Sequence, residues 1–174
     1  SIQSSYGMVL VTGPTGSGKT STLYASLNKL DRDKRNIVTV EDPIEYEFAD
    51  HITQVQVTEK LTFPRVMRTF LRQDPDVMLV GEMRDAESLG IGIQASLTGH
   101  LVLSSLHTNN ALESLGRMID MGGEPYLIAS TLQAVMAQRL VRSICNECRR
   151  PYQPEAAELI EVGIDPRKVQ GHQF

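Results

Sequence analysis

Residues Gly13-Pro14-Thr15-Gly16-Ser17-Gly18-Lys19-Thr20 stand directly behind the apolar run Met8-Val9-Leu10-Val11, and their reading decides the fold. The pattern is G-x-x-x-x-G-K-[ST], with a strand before it and a helical stretch, Ser21 to Leu30, after it. In that order, glycines allow a tight turn whose backbone N–H groups close around an anion, and the helix that follows aims its N-terminus at the same point. The spacing predicts a phosphate loop. Gly13, Pro14, Thr15, Gly16, Ser17, Gly18, Lys19, Thr20 and Ser21 are the expected nucleotide-binding residues, with Lys19 on the β/γ-phosphates and Thr20 on Mg²⁺.

Working outward, four apolar runs alternate with helical patterns: Met8–Val11, Ile37–Val40, Val77–Val80 and Leu101–Ser105. This alternation implies an α/β fold with a mostly parallel sheet and crossover helices. His51 to Val57 alternates imperfectly and reads as an edge strand or hairpin arm. Helices are expected from Phe63 to Gln73, with Pro64 in the first turn and Asp74-Pro75 as the stop, and from Ala86 to Thr98, ended by Gly99. Asn110 with Glu113 reads as a capping box opening a helix to about Asp120, and Pro125 starts a last helix toward Leu140.

With 174 residues and 41% hydrophobic content, the chain has enough apolar material for one sizeable core. The net charge of −4 gives no broad basic surface. Aromatic content of 5% without Trp supplies few stacking platforms, so a nucleic-acid partner is not favoured. No apolar stretch approaches the roughly 20 residues of a membrane span, and no leader opens the chain, so a cytoplasmic location is expected. Cys145 and Cys148 form a lone C-x-x-C, half of a typical zinc site. The ends, Ser1 and the polar run after Pro151, read as cuts within a longer protein.

Ligands of open α/β sheets gather at the carboxyl ends of the strands, and here each such end is polar. Glu41-Asp42 follow Ile37–Val40, Gly81-Glu82 follow Val77–Val80, and His107 follows the Leu101 run. Phosphoryl transfer needs Mg²⁺, charge-neutralising donors and a group that orients or deprotonates water. Glu82 fits the last role, as general base or as a holder of the metal's waters. Glu41 or Asp42 is expected to position water or hold Mg²⁺ through its waters, although Asp42 before Pro43 is also ordinary turn chemistry. His107, and with less reason His100, would report on the γ-phosphate. Arg65, Arg68 and Arg72 fall on one helix face, which is either solvated or a set of arginine fingers at a subunit boundary.

Together, Gly13–Thr20, Thr39-Val40-Glu41-Asp42-Pro43-Ile44-Glu45, Leu71-Arg72-Gln73-Asp74-Pro75-Asp76, Gly81-Glu82-Met83-Arg84-Asp85 and Thr98-Gly99-His100-Leu101 through Leu106-His107-Thr108-Asn109 resemble the secretion ATPase superfamily. They look like its Walker A, Asp box, arginine-rich segment, Walker B and His box, in order. Ala137-Gln138-Arg139-Leu140-Val141-Arg142 followed by Cys145-Asn146-Glu147-Cys148 is most similar to the branch serving type II secretion and type IV pilus assembly. The resemblance implies a RecA-like P-loop core over 1–142, and over 143–174 the start of a cysteine-containing subdomain.

It further implies ATP and Mg²⁺, and Zn²⁺ only with a second cysteine pair outside this chain. The family's N-terminal domain, absent here, closes over nucleotide in a homo-hexamer, so this fragment is expected to be weakly active alone. The implied partners are pilus or secretion assembly components at an inner-membrane platform. Two other classes share the core: a RecA-like nucleic-acid motor and a nucleotide-responsive module without turnover.

Overall fold

The computed structural model describes residues 2–169. Two compact units are present, one ending at Leu140 and the other beginning at Val141. Among the described residues, the first unit holds β1 (Gly7–Thr12), α1 (Lys19–Leu27), β2 (Ile37–Glu41), β3 (Ile52–Gln56), α2 (Phe63–Phe70), β4 (Val77–Val80), α3 (Ala86–Leu97), β5 (Leu101–Leu106), α4 (Ala111–Asp120), α5 (Pro125–Thr131) and β6 (Leu132–Ala137). The six strands form one sheet in the order β3-β2-β4-β5-β1-β6, with every pair parallel.

Strand residues alternate between two buried layers, which is the period-two rule applied to a sheet covered on both faces. Val9, Val11, Leu79, Leu101 and Leu103 pack with Leu23, Tyr24 and Leu27 of α1. Met8, Leu10, Met78, Val80 and Val102 point the other way, toward Val66, Met67 and Phe70 of α2, Leu89 and Ile93 of α3, and Ile128 of α5. These sequence runs read as continuously apolar because both faces are buried. The caps also follow the sequence: Asp85 accepts from the Ser88 N–H at 2.8 Å, and Asn110 accepts from the Glu113 N–H at 2.9 Å.

Two elements differ from the sequence expectation, and one alternative is decided. The helix from Pro125 stops at Thr131, and Leu132–Ala137 forms β6 against β1. Leu132, Val135 and Met136 suit helical spacing, but β1 has a hydrogen-bonding edge beside the loop that only a strand can satisfy. Of the two readings of the segment around His51, edge strand or hairpin arm, the first holds: β3 lies at the sheet edge, with Ile52 paired to Ile37 in parallel register. Finally, α2 ends at Phe70, so Arg72 lies beyond the helix that carries Arg65 and Arg68.

In the second unit, α6 (Ala156–Glu161) opens with a capping box in which the Glu155 N–H donates to Glu158 at 2.8 Å, and a 3₁₀ turn spans Pro166–Lys168. Among the described residues, no helix is long and apolar enough to cross a membrane.

Candidate nucleotide site

Parallel pairing in register brings the carboxyl ends of β2, β4, β5 and β1 side by side: Val40 opposite Val80, Val80 opposite Ser104, and Thr12 opposite Leu106. Whatever follows each strand therefore meets at one edge. A pocket of about 720 Å³ opens there, lined by Thr15 to Ser21, Glu41, Asp42, Tyr46, Glu82, Arg84 and His107 among others.

The loop after β1 is shaped by what lies behind it. Gly18, the N-cap of α1, has φ of 84° and no side-chain cap, so the first N–H groups of the helix are left for a ligand. A Cβ on Gly13 would stand 2.3 Å from the Gln138 carbonyl oxygen, and one on Gly18 would stand 2.9 Å from Gln138 Nε2. Gly13 is required because the Gln138 backbone after β6 occupies the space a side chain would take, and Gly18 because its φ of 84° strains any other residue. Lys19 folds over the loop, donating to the carbonyls of Gly13 at 2.9 Å and Pro14 at 3.0 Å. Burial lowers its pKa below the usual lysine value, partly opposed by the negative charge of Glu82.

Two acids end neighbouring strands in different settings. Glu82, with its side chain 10% exposed, is bracketed by Arg84 on one oxygen and His107 Nε2 at 3.2 Å on the other. The carboxylate in turn raises the Arg84 pKa through their hydrogen bond. Glu41, 2% exposed, accepts from the Tyr24 hydroxyl, from Thr39 Oγ1 at 2.6 Å and from Gln54 Nε2 at 3.2 Å. Burial and the bond to Glu41 push the Tyr24 hydroxyl well above the usual tyrosine range, keeping it a donor. Tyr24 also stacks edge-on against Tyr46, with ring centroids 4.4 Å apart.

Glu82, His107, Glu41 and residues 15–21 of the loop thus share the pocket, whereas other expected residues lie elsewhere. His100 precedes β5 while His107 follows it, so the two histidines are roughly 20 Å apart at the rise of an extended strand. The His100 ring is bound locally, with Nδ1 2.9 Å from the Ala95 carbonyl and 3.1 Å from Thr98 Oγ1; its expected place in the site is corrected accordingly. Arg65 donates to the Lys60 carbonyl at 2.9 Å, Arg68 pairs with Glu87 of α3, and neither they nor Arg72 line the pocket. Cys145 and Cys148 are free and exposed. Among the described residues, no cluster of three or more His, Cys, Asp or Glu could hold a metal, so these two thiols do not by themselves make a closed tetrahedral site.

Pattern reading passes over two residues that touch the site. Arg84 had a usable signal, standing two positions past Glu82 on the same loop. Gln138 had none, because its partners lie more than 100 residues away in sequence.

A parallel sheet with helices on both faces, a glycine loop at a helix N-terminus and an acid at the end of β4 define a RecA-like P-loop nucleotide-binding domain. The chain belongs to the Type II/IV secretion system protein family, whose model matches residues 1–172. It is 56% identical over 167 residues to the type II secretion system protein E of Pseudomonas aeruginosa, covering 95% of this chain and 33% of that protein. To the type IV pilus assembly ATPase PilB of Myxococcus xanthus it is 50% identical over 167 residues, covering 94% and 29%. The chain therefore spans about a third of the length of these relatives. Among solved structures it is similar to the pilus retraction motor PilT with bound ADP, at a TM-score of 0.77 and 38% identity over 83% of this chain and 46% of that one.

Proposed function

We propose that this chain is the ATP-hydrolysing domain of a motor that powers type IV pilus or type II secretion pseudopilus assembly. The observation that carries the proposal is the single pocket holding the phosphate loop, Glu82 and His107 together. The triphosphate is the substrate, cradled by the N–H groups of Gly16 to Thr20, with Lys19 exchanging its carbonyl partners for phosphate oxygens.

Glu82, poised between Arg84 and His107, orients and deprotonates the attacking water. His107 faces the incoming γ-phosphate from the end of β5 and senses its presence through the bond it shares with Glu82. Glu41 acts as a positioning residue, ordering Tyr24 and the far wall. The donor set suits Mg²⁺: the Thr20 hydroxyl would ligate it, and the Glu82 carboxylate in the same pocket would face its waters. When bound, that ion supplies charge neutralisation at the transferred phosphoryl group.

On the resemblance of its five motifs to the secretion ATPases, the longer protein works as a hexamer beside an inner-membrane assembly platform. There Arg65, Arg68 and Arg72 reach a neighbouring subunit's nucleotide. Zinc would require cysteines beyond the pair present here.

The test is steady-state ATP hydrolysis with Mg²⁺ by the longer protein, its Glu82→Gln variant and this chain alone. Turnover in the longer protein that is lost in Glu82→Gln and nearly absent from this chain supports a motor with a shared site. Equal turnover in both lengths rejects the shared site, and nucleotide binding without turnover in either rejects the motor.

A further inference from the structure

Behind the phosphate loop, away from the strand ends that carry Glu82 and His107, one side chain ties three elements together. Gln138 follows β6, and its backbone N–H donates to the Thr12 carbonyl at 2.8 Å, extending the sheet by one bond to the last residue of β1. Its side chain then turns into the loop. Nε2 donates to the Ser17 carbonyl at 2.7 Å, and Oε1 accepts from Thr22 Oγ1, on the second turn of α1, at 2.7 Å. Both ends of the amide are therefore used, and their partners fix which end is oxygen.

The Ser17 carbonyl belongs to the same peptide plane as the Gly18 N–H. In a trans peptide these two groups point in opposite directions. A donor that holds the Ser17 carbonyl toward β6 therefore holds the Gly18 N–H toward the opposite side, where Gly18 lines the pocket. Were this plane to rotate, a carbonyl oxygen would face the phosphates in place of an N–H, exchanging an attraction for a repulsion. Gly18 is the residue most able to permit such rotation, since it has no Cβ and already sits at φ of 84°.

We infer that Gln138 is a positioning residue for nucleotide phosphate, locking the Ser17–Gly18 peptide so that the Gly18 N–H faces the ligand. The inference rests on the nucleotide-binding reading above and adds a residue to it. Gln138 touches no substrate; it acts through the loop. Its amide also stands 2.9 Å from where a Cβ of Gly18 would go, at a residue whose φ of 84° already favours glycine.

The probe is Mg-ADP, titrated calorimetrically into this 174-residue chain and into its Gln138→Met, Gln138→Glu and Thr22→Val variants, with the melting temperature of each recorded. In parallel, the Gly18 amide proton is followed by NMR as ADP is added. Gln138→Glu keeps the length of the side chain and the acceptor for Thr22 but places a carboxylate against the Ser17 carbonyl. It should bind ADP about tenfold or more weakly and lose the ligand-induced shift of the Gly18 amide. Gln138→Met should lose about tenfold, and Thr22→Val, which leaves the donor in place, less than threefold.

Binding within twofold of the parent by a folded Gln138→Glu protein, with the Gly18 shift intact, overturns the inference. So does a loss in Thr22→Val as large as in the Gln138 variants. Lys19→Ala separates this outcome from the parent reading: if the parent chain binds no ADP, the nucleotide-binding reading and this inference fall together, whereas a parent that binds in a Lys19-dependent way with indifferent Gln138 variants sinks the inference alone.

Discussion

The ends of β2 and β4 carry the same functional group two strand-ends along one edge, yet the fold treats the two carboxylates oppositely. Glu41 is enclosed by uncharged donors, Tyr24, Thr39 and Gln54, which satisfy both oxygens without leaving room for another partner of comparable strength. Glu82 is held by the Arg84 guanidinium and the His107 ring, side chains that are themselves 64% and 50% exposed. Neutral buried donors fix a carboxylate in place, because removing any of them strands a polar atom away from water. Exposed partners hold it weakly, so Arg84 and His107 can turn to a ligand's phosphate and leave the carboxylate to water. The difference teaches that position at a strand end selects candidates, while the identity and exposure of the hydrogen-bond partners decide which acid is free to do chemistry.

The sharpest way to break this comparison is to neutralise each acid in turn in the longer protein. Glu82→Gln should lower ATP turnover roughly 100- to 1,000-fold while leaving nucleotide affinity within a few-fold, as measured by steady-state rates beside calorimetric titration. Glu41→Ala should act mainly on the fold, costing about 2–4 kcal/mol by urea denaturation of this chain, because the hydroxyls of Tyr24 and Thr39 lose their buried acceptor. Equal loss of turnover per folded molecule in both variants would erase the distinction drawn here.

A smaller effect sharpens the role of the exposed arginines. Arg68→Ala breaks an ion pair with Glu87 between half-exposed partners and should change stability by less than about 1 kcal/mol. Its turnover in the assembled longer protein should nonetheless fall by at least tenfold if the side chain serves a neighbouring subunit, with ADP affinity of the isolated chain unchanged. Smallest of all is a pH effect from Lys19. Its pKa is lowered in the folded chain by burial, so between that lowered value and 10.5 the unfolded chain binds more protons, and stability contributed by this residue rises with pH across that window. Below the window the cost of burying the charged amine is fully present. Urea midpoints compared between parent and Lys19→Met should converge as pH rises toward 10.5.

Much of this architecture is legible in residues alone. Met8–Val11, Val77–Val80 and Leu101–Ser105 lie in strands buried on both faces, so their composition carries the signal without help from periodicity, and the glycine loop names its own chemistry. What stays hidden depends on contacts remote in sequence. β6 is an edge strand whose residues tolerate a helix, and only the open side of β1 selects the extended form. The hydrogen bonds that withdraw Glu41 from solvent come from α1 and β3 as well as from its own strand, and no spacing rule reports them. His100 keeps a weaker claim than His107 in the sequence because spacing gives strand length only loosely, whereas six paired residues set the two at opposite ends of β5.

The pairing of β1 also bears on how the chain emerges from a ribosome. β1 is made first among the strands, yet its two neighbours in the sheet, β5 and β6, are made last, joining Met8 to Val102 and to Leu132. Closing such long loops before any contact rewards them is slow, and parallel pairing offers no hairpin shortcut. The phosphate loop therefore waits for synthesis of almost the whole first unit before its strand is flanked on both sides and Gln138 reaches its back. A nascent chain arrested before residue 132 should carry an open β1 edge prone to wrong pairing, and nucleotide binding should arise only with the final strand, late and as a unit.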